Sequence, residues 1–234
     1  MSALLTSLLL GTRQLFDPAV LRILVKSVAV TLVLFAVLAA AGWFVLDWAL
    51  AQAGLGETLF AGADTLRGVA SALLAAMALW LLWRILAMAV IQFFADEVVQ
   101  AVERKHYPRE AALARELSFG EQSRQALGAG GRALLANLIV LPFALVLLFT
   151  GIGPALLFLA VNAVLLGREL QDMVWLRHRA DRNAPAPLPR GQRVLLGGVV
   201  AGLMMVPFVN FIAPLLGAAS AAHLVHRKVG ARAA

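Results

Sequence analysis

The segment Asp17-Pro18-Ala19-Val20-Leu21-Arg22, with Lys26 one turn further on, gathers residue types that can hold an anion without a metal. Asp17 suits an N-cap and Pro18 a first helical position, so a helix is expected to begin here with its leading amides unbonded. Such amides at the positive end of a helix, flanked by the cations Arg22 and Lys26, form a chemically suitable anion site. The same two side chains would also snorkel to lipid headgroups, and spacing alone leaves both readings open.

Other reactive residues are sparse. His223 and His226 stand at i and i+3 near a helix end with no carboxylate beside them, so no metal site is expected. The chain has no cysteine, hence neither disulfides nor thiolate ligands. It also lacks a phosphate-binding Gly-x-x-x-x-Gly-Lys-Ser/Thr loop, a His-Glu-x-x-His pair, a Gly-x-Ser-x-Gly elbow and an intramembrane carboxylate pair. Enzymatic catalysis, self-powered pumping and cofactor binding are therefore disfavoured. Transport, if any, is expected to be passive or driven by an ion gradient.

Composition dictates the medium in which these residues work. With 62% hydrophobic and 14% charged residues and a mean hydropathy of +0.86, the chain is expected to be an all-α integral membrane protein. The opening MSALLTSLLL has no basic n-region or small-residue cleavage site and reads as a retained interfacial helix. The pI of 11.2 is a topology signal before it is a ligand signal, and no nucleic acid partner is expected.

Four uncharged or nearly uncharged stretches define the spans. Ser27 to Leu46 carries no charge over 20 residues, the number required for a hydrocarbon core of about 30 Å. It gives a first transmembrane helix over residues 19–46. Gly68 to Ala95 carries only Arg84 in 28 residues and gives a second over 67–104. Arg84 follows 16 uncharged residues, which favours an interfacial position over a place lining a polar path, although the sequence leaves both open. Ala133 to Gly167 and Val194 to His226 have 35 and 33 residues, too long for one span and short for two.

Each of these last stretches has a breaker near its middle, Thr150-Gly151-Ile152-Gly153-Pro154 in one and Pro207 to Pro214 in the other. The 13 residues on one leg of each, 155–167 and 194–206, would span only about 20 Å as helix. The expected architecture is therefore two long transmembrane helices plus two re-entrant, half-penetrating hairpins, over 133–167 and 194–226. Irregular backbone at membrane depth survives only where protein or water covers it. Gly151, Gly153 and Pro154, and Pro207, Asn210 and Pro214, are accordingly hairpin-tip and pore candidates. The alternative for the glycines is a tight turn with close helix contact. Asn137 and Asn162 are expected to tie helices together.

Charge fixes the expected orientation. The 47–66 loop has three acids and no Lys or Arg, whereas Arg104 to Arg132 and Arg168 to Arg193 carry six basic residues each. Both termini and both polar segments are then cytoplasmic and the 47–66 loop is outside. Residues 108–131 read as an amphipathic cytoplasmic segment after a break at Tyr107-Pro108, and 182–190, with three prolines, as a stiff linker.

Three segments carry a family resemblance: GLMMVPFVNFIAPLLGAASAAHLVHRK at the end, LLFTGIGPALLF in the middle, and DEVVQAVERK with its Asp-x-x-x-x-x-x-Glu spacing. Together, in order from Phe16 to Lys228, they resemble the CysZ-type sulfate permeases of the etoposide-induced-protein-type membrane family. That resemblance implies two long helices with two half-penetrating hairpins, a homo-oligomer in a bacterial-type inner membrane, and passage of sulfate or a related oxyanion. It places the sulfate site on a Pro-Gly-x-Arg-Arg pattern, of which Pro18-Ala19-Val20-Leu21-Arg22 keeps Pro18 and one arginine. Lys26 is one turn from the arginine that is kept. A non-transporting membrane scaffold or trafficking protein of the same fold is the alternative.

Overall fold

Asp17 ends one helix and starts the next. Helix α1 (Ser2–Leu15) closes with a turn in which Asp17 N–H donates to Gln14 O at 3.0 Å. Helix α2 (Pro18–Gln52) opens with Ala19 N–H donating to Asp17 Oδ1 at 2.9 Å. The sequence is thus read correctly at this point, Asp17 as cap and Pro18 as first helical residue. A computed structural model supplies this structure and describes residues 2–52, 65–181 and 184–233.

Those residues are all helix, turn or extended connection, with no strand among them. Helix α3 (Thr65–His106) stops because the following proline disfavours helical backbone at Tyr107. A short α4 (Pro108–Leu113) leads to Ser118, which caps α5 (Phe119–Leu147) with a complete capping box to Glu121. A 3-10 turn (Leu148–Thr150) joins α5 to α6 (Gly153–His178). Helix α7 (Arg190–Met204), a second 3-10 turn (Val209–Phe211) and α8 (Ala213–Ala233) complete the chain.

The chain forms two compact units, Leu24–Phe93 and the remainder. Within Leu24–Phe93, Phe35 meets Trp83 edge to face at 5.5 Å between ring centroids, a favourable aromatic geometry. Buried Thr31 satisfies its hydroxyl by donating to Ser27 O. The other unit has its core where α3, α6, α7 and α8 contribute Val98, Val102, Val174, Leu196, Val200, Leu215 and Leu224, all at most 1% exposed. Gly167 and Gly197 let α6 and α7 touch backbone to backbone. A Cβ at Gly167 would overlap the Arg193 carbonyl, and one at Gly197 the Ala163 carbonyl.

Four helices among the described residues are long and apolar enough to cross a membrane: Pro18–Gly42, Gly120–Thr150, Gly153–His178 and Val209–Ala231. The protein is a multi-pass membrane protein. Burial distinguishes the solvents that cover these helices, since 72% of the most apolar window of the last is buried in protein but 6% of that in Gly120–Thr150. Leu134, Leu138, Phe143 and Val146 on α5 face outward, as lipid-facing residues do.

Several boundaries differ from those expected. Helix α6 has 26 residues where a 13-residue leg over 155–167 is expected, and α5 has 29, because each continues through the charged flank outside its apolar stretch. Helix α5 thereby merges the second half of the 108–131 segment with the first leg of the hairpin. Helix α7 has 15 residues, about 22 Å at the helical rise. The expected 47–66 loop is helical through Gln52 and again from Thr65, while 53–64 lie outside the described residues. Residues 182 and 183 of the Pro-rich linker do too.

Candidate functional site

The turn at Gly151 satisfies its own backbone. Gly151 takes φ +74°, a value that favours glycine, and its N–H donates to Leu148 O at 3.1 Å. Thr150 Oγ1 donates to Leu147 O at 2.7 Å and accepts from Gly153 N–H at 2.9 Å. Ile152 N–H donates to Thr150 O at 2.9 Å. The amides of residues 151 to 153 are thus all engaged, and Pro154 has none to offer. This tip is a closed turn with Phe149 and Ile152 exposed beside it.

The second tip is less settled. Phe208 holds φ +65°, a strained value for a bulky side chain. Asn210 N–H donates to Val206 O at 3.0 Å, but its Oδ1 is buried with no hydrogen-bond partner among the described residues. An unpaired carbonyl oxygen is an acceptor and has no attraction for an oxyanion. Pro207 is exposed, and Pro214, in the first turn of α8, is buried. Asn137 and Asn162 do not tie helices together as expected. Both are exposed and donate to the i−4 carbonyls of their own helices, Ala133 O and Phe158 O, each at 2.8 Å.

The positive charge collects at the other end of the α5–α6 hairpin. Glu121 is fixed by the Ser118 capping box and by Arg115, whose Nη1 and Nη2 donate to its two oxygens at 3.0 and 3.1 Å. Arg124, Gln125 and Arg132 follow Glu121 along α5 at near-helical spacing, while Asp172 and Leu176 stand one turn apart on α6 and Arg179 is the extended residue that ends it. These residues, with Arg115 and Leu117, line a cavity of about 310 Å³. Arg168 approaches Asp172 at 3.5 Å. The lining holds four guanidinium groups and two carboxylates, with Arg115 already paired to Glu121, and a guanidinium fork is suited to an oxyanion.

A second polar cluster lies at the ends of α3 and α6. Glu103, 1% exposed in its side chain, accepts from Arg177 Nη1 on Oε2 at 2.9 Å. Its Oε1 lies 2.8 Å from His178 Nε2 and 3.0 Å from His226 Nε2. Tyr107 stacks on His226 at 4.7 Å between centroids, and its hydroxyl stands 3.0 Å from His223 Nδ1. The three ligand atoms of Glu103, His178 and His226 all lie within 4.8 Å of one another and could hold a metal ion. The expectation that no carboxylate neighbours the histidines is overturned, because the carboxylate comes from a helix 123 residues away.

The remaining sequence candidates are placed as follows. Arg22 and Lys26 are exposed on the opening turns of α2. Asp17 already supplies a carboxylate to the start of that helix, and Lys105 pairs with its other oxygen. The Lys105 ammonium, then the Ala19 amide, hold the Asp17 carboxyl below the usual carboxylate range. Arg84 lies on α3, and its side chain lies outside those described. Sequence reasoning missed Arg115, Arg124, Arg132 and Arg179, whose only signal was helical spacing on both sides of an apolar hairpin. Glu103 stood in plain view as the last acid of the Asp96-to-Glu103 spacing.

Residues 7–214 match the family model described as sulfate transporter CysZ/etoposide-induced protein 2.4. No curated protein and no solved structure matches the chain.

Proposed function

The chain belongs to the sulfate transporter CysZ/etoposide-induced protein 2.4 family, and from that premise we propose that it is a permease passing sulfate or a related oxyanion across a bacterial-type inner membrane. The observation that carries this reading is the arginine-rich cavity at the base of the α5–α6 hairpin. Its guanidinium groups can bind a tetrahedral oxyanion through paired N–H donors. Arg22 and Lys26, exposed near the start of α2, raise the local anion concentration from the same cytoplasmic side by long-range attraction.

The topology we adopt keeps both termini cytoplasmic, following the basic segments. Helices α5 and α6 have the length to cross fully. Hairpin two is re-entrant, because the 15 residues of α7 fall short of the roughly 20 needed for a span. The outward apolar residues of α5 are covered by lipid and, in a homo-oligomer, by a second copy.

The test is uptake of radiolabelled sulfate into liposomes carrying the purified protein. Arg124→Ala with Arg132→Ala is expected to lower the initial rate about tenfold or more, since one charge-assisted contact is worth about 1.5–3 kcal/mol. Arg22→Ala with Lys26→Ala is expected to lower it less and to weaken its dependence on ionic strength. Absence of uptake by folded, inserted protein would overturn the permease reading in favour of a membrane scaffold.

A further inference from the structure

We propose that Glu103, His178 and His226 form a site for one divalent transition-metal ion per chain, with Zn²⁺ the best chemical match. This inference does not depend on the permease reading. Two imidazole nitrogens and one carboxylate oxygen are a ligand set that Zn²⁺ uses where a fourth position stays open to water. In a tetrahedral site with bonds of about 2.0–2.1 Å, ligand atoms stand about 3.3 Å apart. The two Nε2 atoms already approach Glu103 Oε1 to 2.8 and 3.0 Å, so small side-chain movements admit the ion.

The surroundings are built for such a role. Arg177 occupies Oε2 and leaves Oε1 as the coordinating atom, while neutralising the remaining carboxylate charge. His226 is held in plane by the stacked Tyr107 ring, and the His178 ring meets it edge-on at 4.8 Å. Orientation of ligating rings by their neighbours is a recurrent feature of metal sites. His178 is the last residue of α6 and Glu103 lies in the last turn of α3, and the negative end of a helix dipole favours a cation. All four histidines of the chain are tied into this cluster, His106 through its ring contact with His223. His223 Nε2 is buried without a hydrogen-bond partner among the described residues, a further donor or acceptor facing an incomplete polar interior.

The experiment uses the full chain in detergent, with any affinity tag removed and metals stripped by chelator, titrated with Co²⁺ and then Zn²⁺. Expected are one Co²⁺ per chain with the visible absorption of a tetrahedral site, and its displacement by Zn²⁺. His178→Gln and His226→Gln, which keep an amide donor for Glu103, should each weaken Co²⁺ binding at least about a hundredfold. Asn137→Ala, at an exposed residue whose side chain donates to its own helix, should bind as the wild type does. X-ray absorption of the Zn²⁺-loaded wild type should show two imidazoles, and it decides the matter even if a variant fails to fold. Absence of Co²⁺ uptake by the wild type, unchanged affinity in the His178 and His226 variants, or a spectrum without two imidazoles would overturn the site.

Discussion

Arg177 Nη1 donates to Glu103 Oε2 at 2.9 Å, joining the last turn of α6 to the last turn of α3 across 74 residues of sequence. Glu103 is 1% and Arg177 19% exposed in their side chains. A carboxylate this buried is stable only while its partners remain, because either charge left alone in a poorly hydrated site is costly.

Removal of one partner should therefore destabilise strongly. Glu103→Gln or Arg177→Met is expected to cost about 3–5 kcal/mol, and the double substitution less than the sum. Denaturant unfolding of the detergent-solubilised protein measures this. A cost below about 1 kcal/mol for both single variants would show that the pair is a surface contact in solution.

The Asp17–Lys105 pair predicts a pH effect of defined sign. Because the folded protein holds the Asp17 carboxyl below its ordinary value of 3.8, its contribution is fully present above that value. It is lost as pH falls through the lowered folded value. Asp17→Asn keeps the helix cap but not the charge. The difference in melting temperature between it and the wild type should hold from neutral pH down to about 4, the ordinary carboxylate range, and vanish below. A difference that grows on acidification would contradict the pairing.

Glycines on one helix should respond oppositely according to what stands beside them. Gly197→Ala places a methyl group on the Ala163 carbonyl, with an expected cost of about 1–3 kcal/mol from overpacking. A Cβ at Gly202 meets nothing within 4 Å, so Gly202→Ala should be neutral or stabilising by up to about 1 kcal/mol. Equal effects at the two positions, read from thermal unfolding, would mean that α6 and α7 do not touch as described.

The hairpins differ in reach, and the absence of native cysteine makes the comparison clean. An impermeant thiol reagent outside intact cells should label Ile152→Cys at the tip joining α5 and α6. It should leave Val209→Cys, at the tip of hairpin two, unlabelled. Labelling of both would mean that hairpin two crosses as well. Labelling of neither would return hairpin one to the half-penetrating form.

Sequence alone determined what depends on neighbours along the chain. Composition fixed a helical membrane protein. Asp17-Pro18 fixed a helix start, Tyr107-Pro108 a helix end, and Gly151 a reversal that closes on itself through Thr150. These are effects of capping, ring constraint and backbone freedom within one turn of helix, and residue identity carries them directly. Lengths counted over uncharged residues failed for α5 and α6, because helical hydrogen bonding continues through charged flanks that hydropathy excludes. The tertiary structure alone decided which polar groups meet. Glu103 and His226 are 123 residues apart, and their contact needs the end of α3 to meet α8. Likewise, the cavity joins arginines from α5, from the connection before it and from the residue that ends α6. No local propensity encodes that convergence. It follows from burial of Val98, Val102, Val174 and Leu224 in one shared core, which sets the helix crossings and so brings the charges together.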